Sequence, residues 1–385
     1  SLANSRSSGN ENASAGDAET VGKADENEPA ETESKDVIYR RVSFYNLVDN
    51  ASQAAYLEQN YALRNNIYNP LMTATSTEAF DQAVYSGLGL DLIPNFAKQN
   101  MDVMRNTNRQ INNAVFNNTD TQAFRTTAGY DYFDREQDGD NGLSGYKDEA
   151  HTAYAVFDKQ VSPALRYGIG ASVTKYESDY DNGSEREEIM AQIMTPVMIG
   201  SENTKLLSMP KIGMGWGEYK RFDQGMEYKA NTRNYYYGIS NEARHDIDMD
   251  VVTLEPVAEF NILGMYQNRT KENIRVEANN NLSVEGGLGL YAKKQFTPFG
   301  DDELNIRLGG TYYHEFANPY QAADAGVVGL LGHYHMNGYE TQRDRAVLAT
   351  RFDYKRGRFN FYLEGSRFIE DDSTYSINAG LTYAF

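Results

Sequence analysis

The sequence predicts an all-β transmembrane barrel of about 12 antiparallel strands, with an N-terminal α-helix inside its lumen. From about Thr121 to the last residue, apolar and polar residues alternate with a period of two. The segment before it combines helix-period apolar positions with an otherwise polar composition. No run of ~18 apolar residues occurs, so no transmembrane helix is encoded. The mean hydropathy of −0.66 still suits a barrel, whose strands expose only every second residue to lipid.

The composition excludes several classes of function. With 36 Lys and Arg against 55 Asp and Glu, the formal net charge is −19. We expect no nucleic-acid partner, because phosphate recognition requires a basic surface. The lack of Cys excludes disulfides, thiol nucleophiles and Cys-ligated metals. Neither a P-loop nor a Gly-x-Ser-x-Gly nucleophile is present. We therefore expect no enzymatic activity and no cofactor.

The first 89 residues contain two segments. Residues 1–36 consist mainly of Ser, Asn, Ala, Glu and Asp, and so cannot bury enough surface to offset the entropy of ordering. This segment is predicted to be a disordered linker or tail. Residues 37–89 are richer in Ala, Leu and Gln, and their apolar residues recur at three and four. They are predicted to be a helical segment that precedes the barrel.

Residues 90–119 are predicted to form the luminal helix. Asp91 followed by Pro94 is a typical helix start. Apolar residues then recur at helical spacing from Phe96 to Val115, but most of the other side chains are Asn, Gln, Lys or Arg. A helix this polar suits a water-filled, charged lumen better than an ordinary core.

Residues 120–385 are predicted to form the barrel. The last strand shows the pattern best, because Tyr375, Ile377, Ala379, Leu381 and Tyr383 share one face while polar or small residues share the other. In a membrane barrel the apolar face meets lipid and the polar face meets the lumen. Aromatic residues lie near the strand ends, as in interfacial girdles. About 22 residues per strand and turn give about 12 strands.

Four motifs resemble the translocator barrel of autotransporters, the type V secretion proteins. Residues 378–385 resemble the outer-membrane assembly signal, carried here by Asn378, Gly380, Tyr383 and Phe385. Residues 308–316 resemble a translocator strand ending in Tyr-x-x-Glu-Phe, and residues 254–260 resemble its Leu-x-Pro-x-Ala strand. Residues 79–87 resemble the element that precedes many such barrels. In the first strand, Ala123 stands where the family has Trp. The resemblance covers roughly residues 65 to 385.

The resemblance implies an outer-membrane protein of a Gram-negative bacterium that exports an N-terminal passenger and anchors it at the cell surface. Residues 37–89 would then be a passenger remnant on the extracellular side. The implied partners are outer-membrane lipids and lipopolysaccharide, the β-barrel assembly machinery and periplasmic chaperones, with the protein itself a monomer. No catalytic residue, cofactor or metal is implied.

Three other interpretations remain open from the residues. The first is a porin-like passive channel with a periplasmic N-terminal helical segment. The second is a protease at the barrel rim, which would use His245, Asp246 and Asp248. The third is a soluble β-sandwich adhesin, which would leave the aromatic terminus at Phe385 unexplained.

The lumen is expected to contain charge pairs between helix and wall. Arg105 and Arg109 lie on the predicted helix, and they are expected to face acidic residues of the polar strand faces. The candidate acidic residues are Glu255, Glu259, Glu285, Glu303, Glu315 and Glu364. Such pairs would seat the helix and close the pore to ions.

Two further motifs are weaker. Self-cleavage by Asn cyclisation, known in some autotransporters, is considered at Asn112 and Asn113. His333 and His335 have the spacing for one metal, and residues 134–140 resemble the start of an EF-hand. Since no third ligand follows the histidines and Gly145 replaces the bidentate Glu, we expect no metal at either place.

Overall fold

A computed structural model describes residues 43–63, 66–117, 123–139, 142–370 and 373–385. The predicted tail at residues 1–36 lies outside the described residues. So do the start of the helical segment (37–42) and the end of the predicted luminal helix (118–119).

Eighteen strands are formed by the described residues. They are β1 (Phe124–Gln137), β2 (Tyr146–Ser162), β3 (Leu165–Tyr180), β4 (Glu185–Met194), β5 (Val197–Gly200), β6 (Thr204–Asp223), β7 (Met226–His245), β8 (Ile247–Asp248), β9 (Thr253–Gln267), β10 (Thr270–Lys271), β11 (Ile274–Val276), β12 (Asn279–Phe296), β13 (Glu303–Glu315), β14 (Ala323–Val327), β15 (Tyr334–Met336), β16 (Asp344–Arg356), β17 (Phe359–Ile369) and β18 (Ser373–Ala384).

The long strands close into a barrel. Each pairs antiparallel with its neighbours, and β18 returns to pair with β1 from Arg125–Ala384 to Glu136–Ser373. β4 and β5 act as one strand interrupted at residues 195–196, and β8 is a short extension beside β9. The result is a closed barrel of 12 strands, which confirms the predicted fold class.

The alternation along the strands separates the two faces of the wall. On β18, Ser376 and Asn378 point inward and are fully buried, whereas Ile377 points outward and is 47% exposed. Large apolar side chains cover the outer face, including Leu288 at 71% and Leu308 at 58% exposed. Apolar residues outside and polar residues inside are what the sequence predicted for a membrane barrel.

The two ends of the barrel differ. At the end where β1 begins and β18 finishes, the strands are joined mostly by short turns, and we call it the turn rim. At the other end lie the long connections, and we call it the loop rim. The hairpin of β6 and β7 is the tallest, with 20 residues in each strand.

Four α-helices precede the barrel in the described residues. They are α1 (Ala51–Asn60), α2 (Tyr68–Thr73), α3 (Thr77–Gly87) and α4 (Asn95–Phe116). Asn50 caps α1 by accepting from the amides of Ser52 and Gln53, and Ser76 caps α3 by accepting from the amide of Ala79. None of the helices that are described is long and apolar enough to cross a membrane.

Helix α4 lies in the lumen, with its first turn at the loop rim and its last turn at the turn rim. Its 22 residues span about 33 Å. The helix begins at Asn95 rather than at residue 90, because residues 88–94 form turns first. Gly89 has a positive φ of +68°, which permits the reversal out of α3, and Pro94 occupies the N-cap of α4.

A second sheet lies above the loop rim. It pairs β10, β11, β14 and β15, all from the connections β9–β12 and β13–β16. We call it the loop sheet. Residues 43–63 and 66–94, with helices α1 to α3, pack on it as a helical cap. The helices of the cap were predicted from the sequence, but the strands of the loop sheet were not, because strands of two to five residues are too short to show a repeated alternation.

Candidate functional site

The plugged lumen is the candidate functional site. Nineteen of the 22 residues of α4 are buried, and ten of these 19 are polar. Toward the loop rim, Gln99 donates to Asp148 at 3.0 Å and Asn100 donates to Glu188 at 3.0 Å. These wall residues face inward on β2 and β4, so the polar strand faces supply the partners that a buried polar helix requires.

Near the middle of the helix, two amides contact the two strands that close the barrel. Asn106 donates to Asp131 of β1 at 2.6 Å. Gln110 donates to Ser376 at 2.9 Å and accepts from Asn378 at 3.2 Å, both on β18. Helix α4 therefore bridges β1 and β18 from inside.

Arg105 reaches two of the predicted wall carboxylates. Its Nη2 lies 3.0 Å from Glu315, and its Nε lies 3.9 Å from Glu285. It also contacts Asp102 of its own helix at 2.7 Å. Arg345 of β16 shares Glu285 at 2.6 Å. This part of the lumen is a network of charges rather than a set of isolated pairs.

Arg109 contacts Glu364 of β17. Its Nη1 is 3.0 Å from a Glu364 carboxylate oxygen, and Glu364 is completely buried. The same carboxylate accepts from Asn113 at 3.0 Å and lies 3.5 Å from Arg351. Glu364 thus joins two helix residues to the wall.

Three of the predicted acidic residues are not brought to the helix arginines. Glu255 instead binds the wall cations Arg307 and Lys293, each at 2.8 Å. Glu259 lines the same cavity as Arg105 and Arg109, but it accepts from Tyr313 at 3.0 Å.

Glu303 shares its inward parity with Glu315 but lies twelve residues away on β13, about 40 Å along the strand. It stands at the turn rim, beyond the reach of Arg105. The alternation along β13 predicted correctly that Glu303 faces inward, but it did not show that Glu303 lies too far along the barrel axis to reach Arg105.

The end of α4 at the turn rim is held by Arg244 of β7. Its guanidinium donates to Asn113 at 2.7 Å and to Asn117 at 2.8 Å, and it lies 4.3 Å from the centre of the Phe116 ring. A cation here also complements the partial negative charge at the helix C-terminus. Beside these contacts of Arg244, Val115 and Phe116 pack with Met198 and Leu207 of the wall.

Asn112 and Asn113 lie in regular helix. The Asn113 amide nitrogen donates to Glu364, and its amide oxygen accepts from Arg244. Its backbone carbonyl accepts from the amide of Asn117 at 3.0 Å. Asn112 faces a small cavity of about 30 Å³ beside Arg105 and Arg109. In a helix the side chain leans toward the N-terminus while the carbonyl points toward the C-terminus, so neither amide is directed at its own carbonyl carbon.

The assembly-signal residues divide between the two faces of β18. Asn378 is buried in the lumen and accepts from Tyr154 at 2.8 Å. Gly380 lies beneath the Tyr362 ring, where a Cβ would collide with the ring and its hydroxyl. Tyr383 and Phe385 form an edge-to-face pair with ring centres 4.9 Å apart. Phe385 is 54% exposed at the turn rim, as expected of an interfacial aromatic.

The histidine motifs are dispersed. His245 lies at the turn rim and bonds Thr204 at 2.7 Å, while Asp246 pairs with Lys293 at 2.5 Å. Asp248 accepts from the Thr253 hydroxyl at 2.8 Å, so the structure pairs His245 with neither Asp246 nor Asp248. His335 pairs with Asp324 at 2.6 Å on the exposed face of the loop sheet. No group of three potential metal ligands occurs among the described residues, although Asp140 of the EF-hand-like run lies outside them.

Four arginines of the wall are almost completely buried, and all but Arg351 were not singled out from the sequence. Arg125, Arg135, Arg221 and Arg351 are each at most 1% exposed, and each has an acidic neighbour. Each of them lies at an inward-facing position of its strand, as the alternation of polar and apolar residues predicts. The acidic partners of Arg221 and Arg351, Asp223 and Asp353, lie two residues away on the same strand and follow from the same alternation. The partners of Arg125 and Arg135 lie on the neighbouring strand β2, and no local pattern identifies them.

Comparisons with known proteins identify one sequence family and several similar folds. The sequence model described as "Autotransporter beta-domain" matches residues 124–366, more than half of the chain. No curated protein matches the sequence. The fold is similar to the translocator domain of the autotransporter NalP from Neisseria meningitidis, with a TM-score of 0.62 and 10% identity over 76% of this chain and 100% of that one. It is also similar to the β domain of the Bordetella autotransporter BrkA, with a TM-score of 0.52 and 17% identity over 68% and 100% of the two chains.

Proposed function

Because the chain belongs to the autotransporter β-domain family, a family of outer-membrane transport barrels of Gram-negative bacteria, we propose that it exports an N-terminal passenger and then anchors it at the cell surface. The single observation that carries the proposal is the path of the chain. Helix α4 runs through the whole lumen and connects β1 at the turn rim to the helical cap at the loop rim. A segment upstream of the cap therefore continues from the loop rim.

In this proposal the loop rim is extracellular and the turn rim is periplasmic. Short turns at one end and long loops at the other are typical of outer-membrane barrels in that orientation. The residues before Ser43 would then lie outside the cell. In this proposal the barrel transports and anchors the chain and performs no chemical reaction.

The resting state would be closed. Helix α4 is held by Glu315, Glu364 and Arg244 within the lumen. The passive-channel interpretation requires an open path for small solutes, and it places the N-terminal segment in the periplasm. The filled lumen favours the export proposal.

The partners in this proposal follow from the outer surface. Lys147 of β2, Lys175 of β3 and Lys229 of β7 are exposed, and each pairs with a neighbouring Glu. In this proposal these lysines meet the phosphates of lipopolysaccharide. The β-barrel assembly machinery would recognise the β18 signal after delivery by periplasmic chaperones. The protein would act as a monomer, since the barrel is closed by its own strands.

The test places an epitope tag before Ser1, behind a signal peptide, and probes intact cells with antibody and protease. The tag is expected to be accessible without permeabilisation. A control tag in the turn between β16 and β17, at the turn rim, should become accessible only after permeabilisation. If the tag before Ser1 also requires permeabilisation, the export proposal is wrong and a channel with a periplasmic segment is favoured.

A further inference from the structure

The helical cap and the loop sheet share a single apolar core. The loop sheet contributes six buried side chains, which are Ile274, Val276, Ala325, Val327, Tyr334 and Met336. The helical cap contributes residues from all three helices, including Leu57, Leu71 and Phe80, each at most 2% exposed. Strands of two to five residues are not stable without a packing partner, and isolated helices of 6 to 11 residues are marginal in water. Each half of this module requires the other half.

Helix α1 takes the place of a neighbouring strand at the edge of the loop sheet. The amide of His335 on β15 donates to the Ser52 hydroxyl at 2.9 Å, and the Gln53 side chain donates to the His335 carbonyl at 3.2 Å. Both backbone groups of an edge residue are thereby satisfied by helix side chains. This edge would otherwise be open to pairing with another chain.

The next two turns of α1 continue the same contact. The Tyr56 hydroxyl accepts from the amide of Val327 at 2.8 Å. Asn60 makes two bonds to Leu331, accepting from its amide at 2.7 Å and donating to its carbonyl at 2.9 Å. Three successive turns of one helix therefore match backbone groups of one barrel loop, which makes the docking specific rather than a general apolar contact.

The other side of the helical cap is fastened to the β6–β7 hairpin. Arg221, which is fully buried, donates to the backbone carbonyl of Ser86 in α3 at 2.9 Å. It also binds Glu272, in the turn between β10 and β11, at 2.7 Å. The barrel thus holds the cap through two separate loop regions.

The helical cap is too wide to exist inside the barrel. The lumen holds α4 alone, and a helix with its side chains is about 10–12 Å across. The cap contains three helices packed around a common core, with neighbouring axes about 8–10 Å apart. Residues 43–94 therefore assemble only where the loop sheet is, beyond the loop rim.

We propose that the loop sheet has a second function, as the template on which the last exported segment folds. This inference rests on the proposed direction of export. As residues 43–94 emerge, they bury their apolar side chains against a surface that is already fixed to the barrel. Because this burial is available only on the outer side, it draws α4 into the lumen and opposes return of the chain.

The test follows the tag before Ser1 in intact cells after a pulse of synthesis. The main variant is Tyr334→Ala, which removes a ring 4.9 Å from that of Tyr56 and a hydroxyl that donates to the Leu88 carbonyl at 2.6 Å. The matched control is His335→Ala, on the same short strand but with its side chain on the exposed face. A second variant, Asn60→Ala, changes only the exported segment and leaves every barrel residue intact.

Losing a large buried ring shifts a docking equilibrium about a hundredfold. If half of that contact is formed at the slow step, tag exposure becomes about tenfold slower in Tyr334→Ala. Asn60→Ala should also delay exposure, and His335→Ala should not. Barrel assembly is followed separately by heat-resistant electrophoretic mobility.

Assembled Tyr334→Ala or Asn60→Ala barrels that expose the tag at the unmodified rate would overturn the template function alone. A tag that is never exposed in the unmodified protein would instead overturn the proposed export. The two failures are therefore distinguishable.

Discussion

Arg109 of the luminal helix and Glu364 of the wall lie 3.0 Å apart inside the barrel. Glu364 also accepts from Asn113 and faces Arg351 at 3.5 Å. An ionised carboxylate withdrawn from water is tolerated only when it is paired and hydrogen-bonded. This carboxylate is therefore the point at which the plug and the wall depend on each other most.

Replacing Glu364 by Gln should destabilise the plugged barrel. Two buried guanidinium groups would lose an anionic partner, which costs about 3 kcal/mol. The temperature at which the protein loses its folded electrophoretic mobility should fall. Glu303→Gln makes the same chemical change at the turn rim, away from the helix arginines, and should leave that temperature nearly unchanged. Equal shifts in the two variants would contradict the central role of Glu364.

Removing both helix arginines should loosen the plug. The double variant Arg105→Ala with Arg109→Ala deletes the contacts to Glu315, Glu285 and Glu364. The remaining carboxylates then repel one another, so we expect more frequent and larger conductance steps in planar bilayers. Arg367→Ala, whose side chain points outward on β17, serves as the control. Unchanged conductance in the double variant would show that other contacts close the pore.

Gly380→Ala should impair assembly of the barrel. An added Cβ would collide with the Tyr362 ring and with the carbonyl of Ala128. Overpacking of this kind costs about 1–3 kcal/mol, and it falls on the strand that closes the sheet. The heat-resistant fraction after synthesis should decrease. Gly365→Ala on the adjacent strand is the matched control, because a Cβ there meets nothing within 4 Å.

Docking of the helical cap should depend on pH through Asp91. Burial raises the pKa of Asp91 to about 6, against the opposing effect of Arg221 and the hydrogen bond from Asn182, while Asp223 adds to the rise. An unfolded Asp titrates near 3.8. The docked state therefore binds more protons between pH 4 and pH 6, and its stability falls as the pH rises through that window. The total change is about 3 kcal/mol, and it is complete above pH 7.

The chain contains no Cys, so a single cysteine at Ala54, a fully buried position in the cap, can report opening by its rate of labelling. Relative to the same cysteine in unfolded protein, labelling should be faster at pH 7.5 than at pH 5. Asp91→Asn should abolish this difference and protect the site at both values. A pH dependence that persists in Asp91→Asn would assign it to another group.

The chain should remain uncut between the helical cap and the barrel. Asn113 is held by Glu364 and Arg244, and Asn112 lies in regular helix, so cyclisation of either amide is disfavoured. Mass spectrometry of the membrane-resident protein should show one continuous polypeptide through residues 112–114. A fragment that begins at Asn113 or Ala114 would contradict this.

The sequence predicted which face of the barrel wall a residue lies on far better than it predicted the residue's position along the barrel axis. Strict alternation placed Leu304 and Leu308 outside and Glu303 and Glu315 inside, because the pleat of a strand allows nothing else. The partner of an inward residue depends on how far the helix is inserted, and no local pattern encodes that distance. Glu315 therefore meets Arg105 while Glu303 does not.

The cap contacts were beyond sequence reasoning for a related cause. Arg221, Ser86 and Glu272 are brought together from positions 51 and 135 residues apart. The strands of the loop sheet have only two to five residues, which is too few for a repeated alternation of buried and exposed residues to be recognised. The N-cap residues Asn50 and Ser76, in contrast, could be predicted from the sequence, because each bonds an amide within three residues.

The contacts of Asn106 with β1 and of Gln110 with β18 have a mechanical consequence for the finished barrel. Every closed sheet has one seam where its first and last strands meet. Here the luminal helix is hydrogen-bonded to the strands on both sides of that seam. Separating β1 from β18 laterally into the bilayer would require α4 to lose its hydrogen bonds to at least one of these strands. Insertion of α4 would thus stabilise the seam of the barrel against lateral opening.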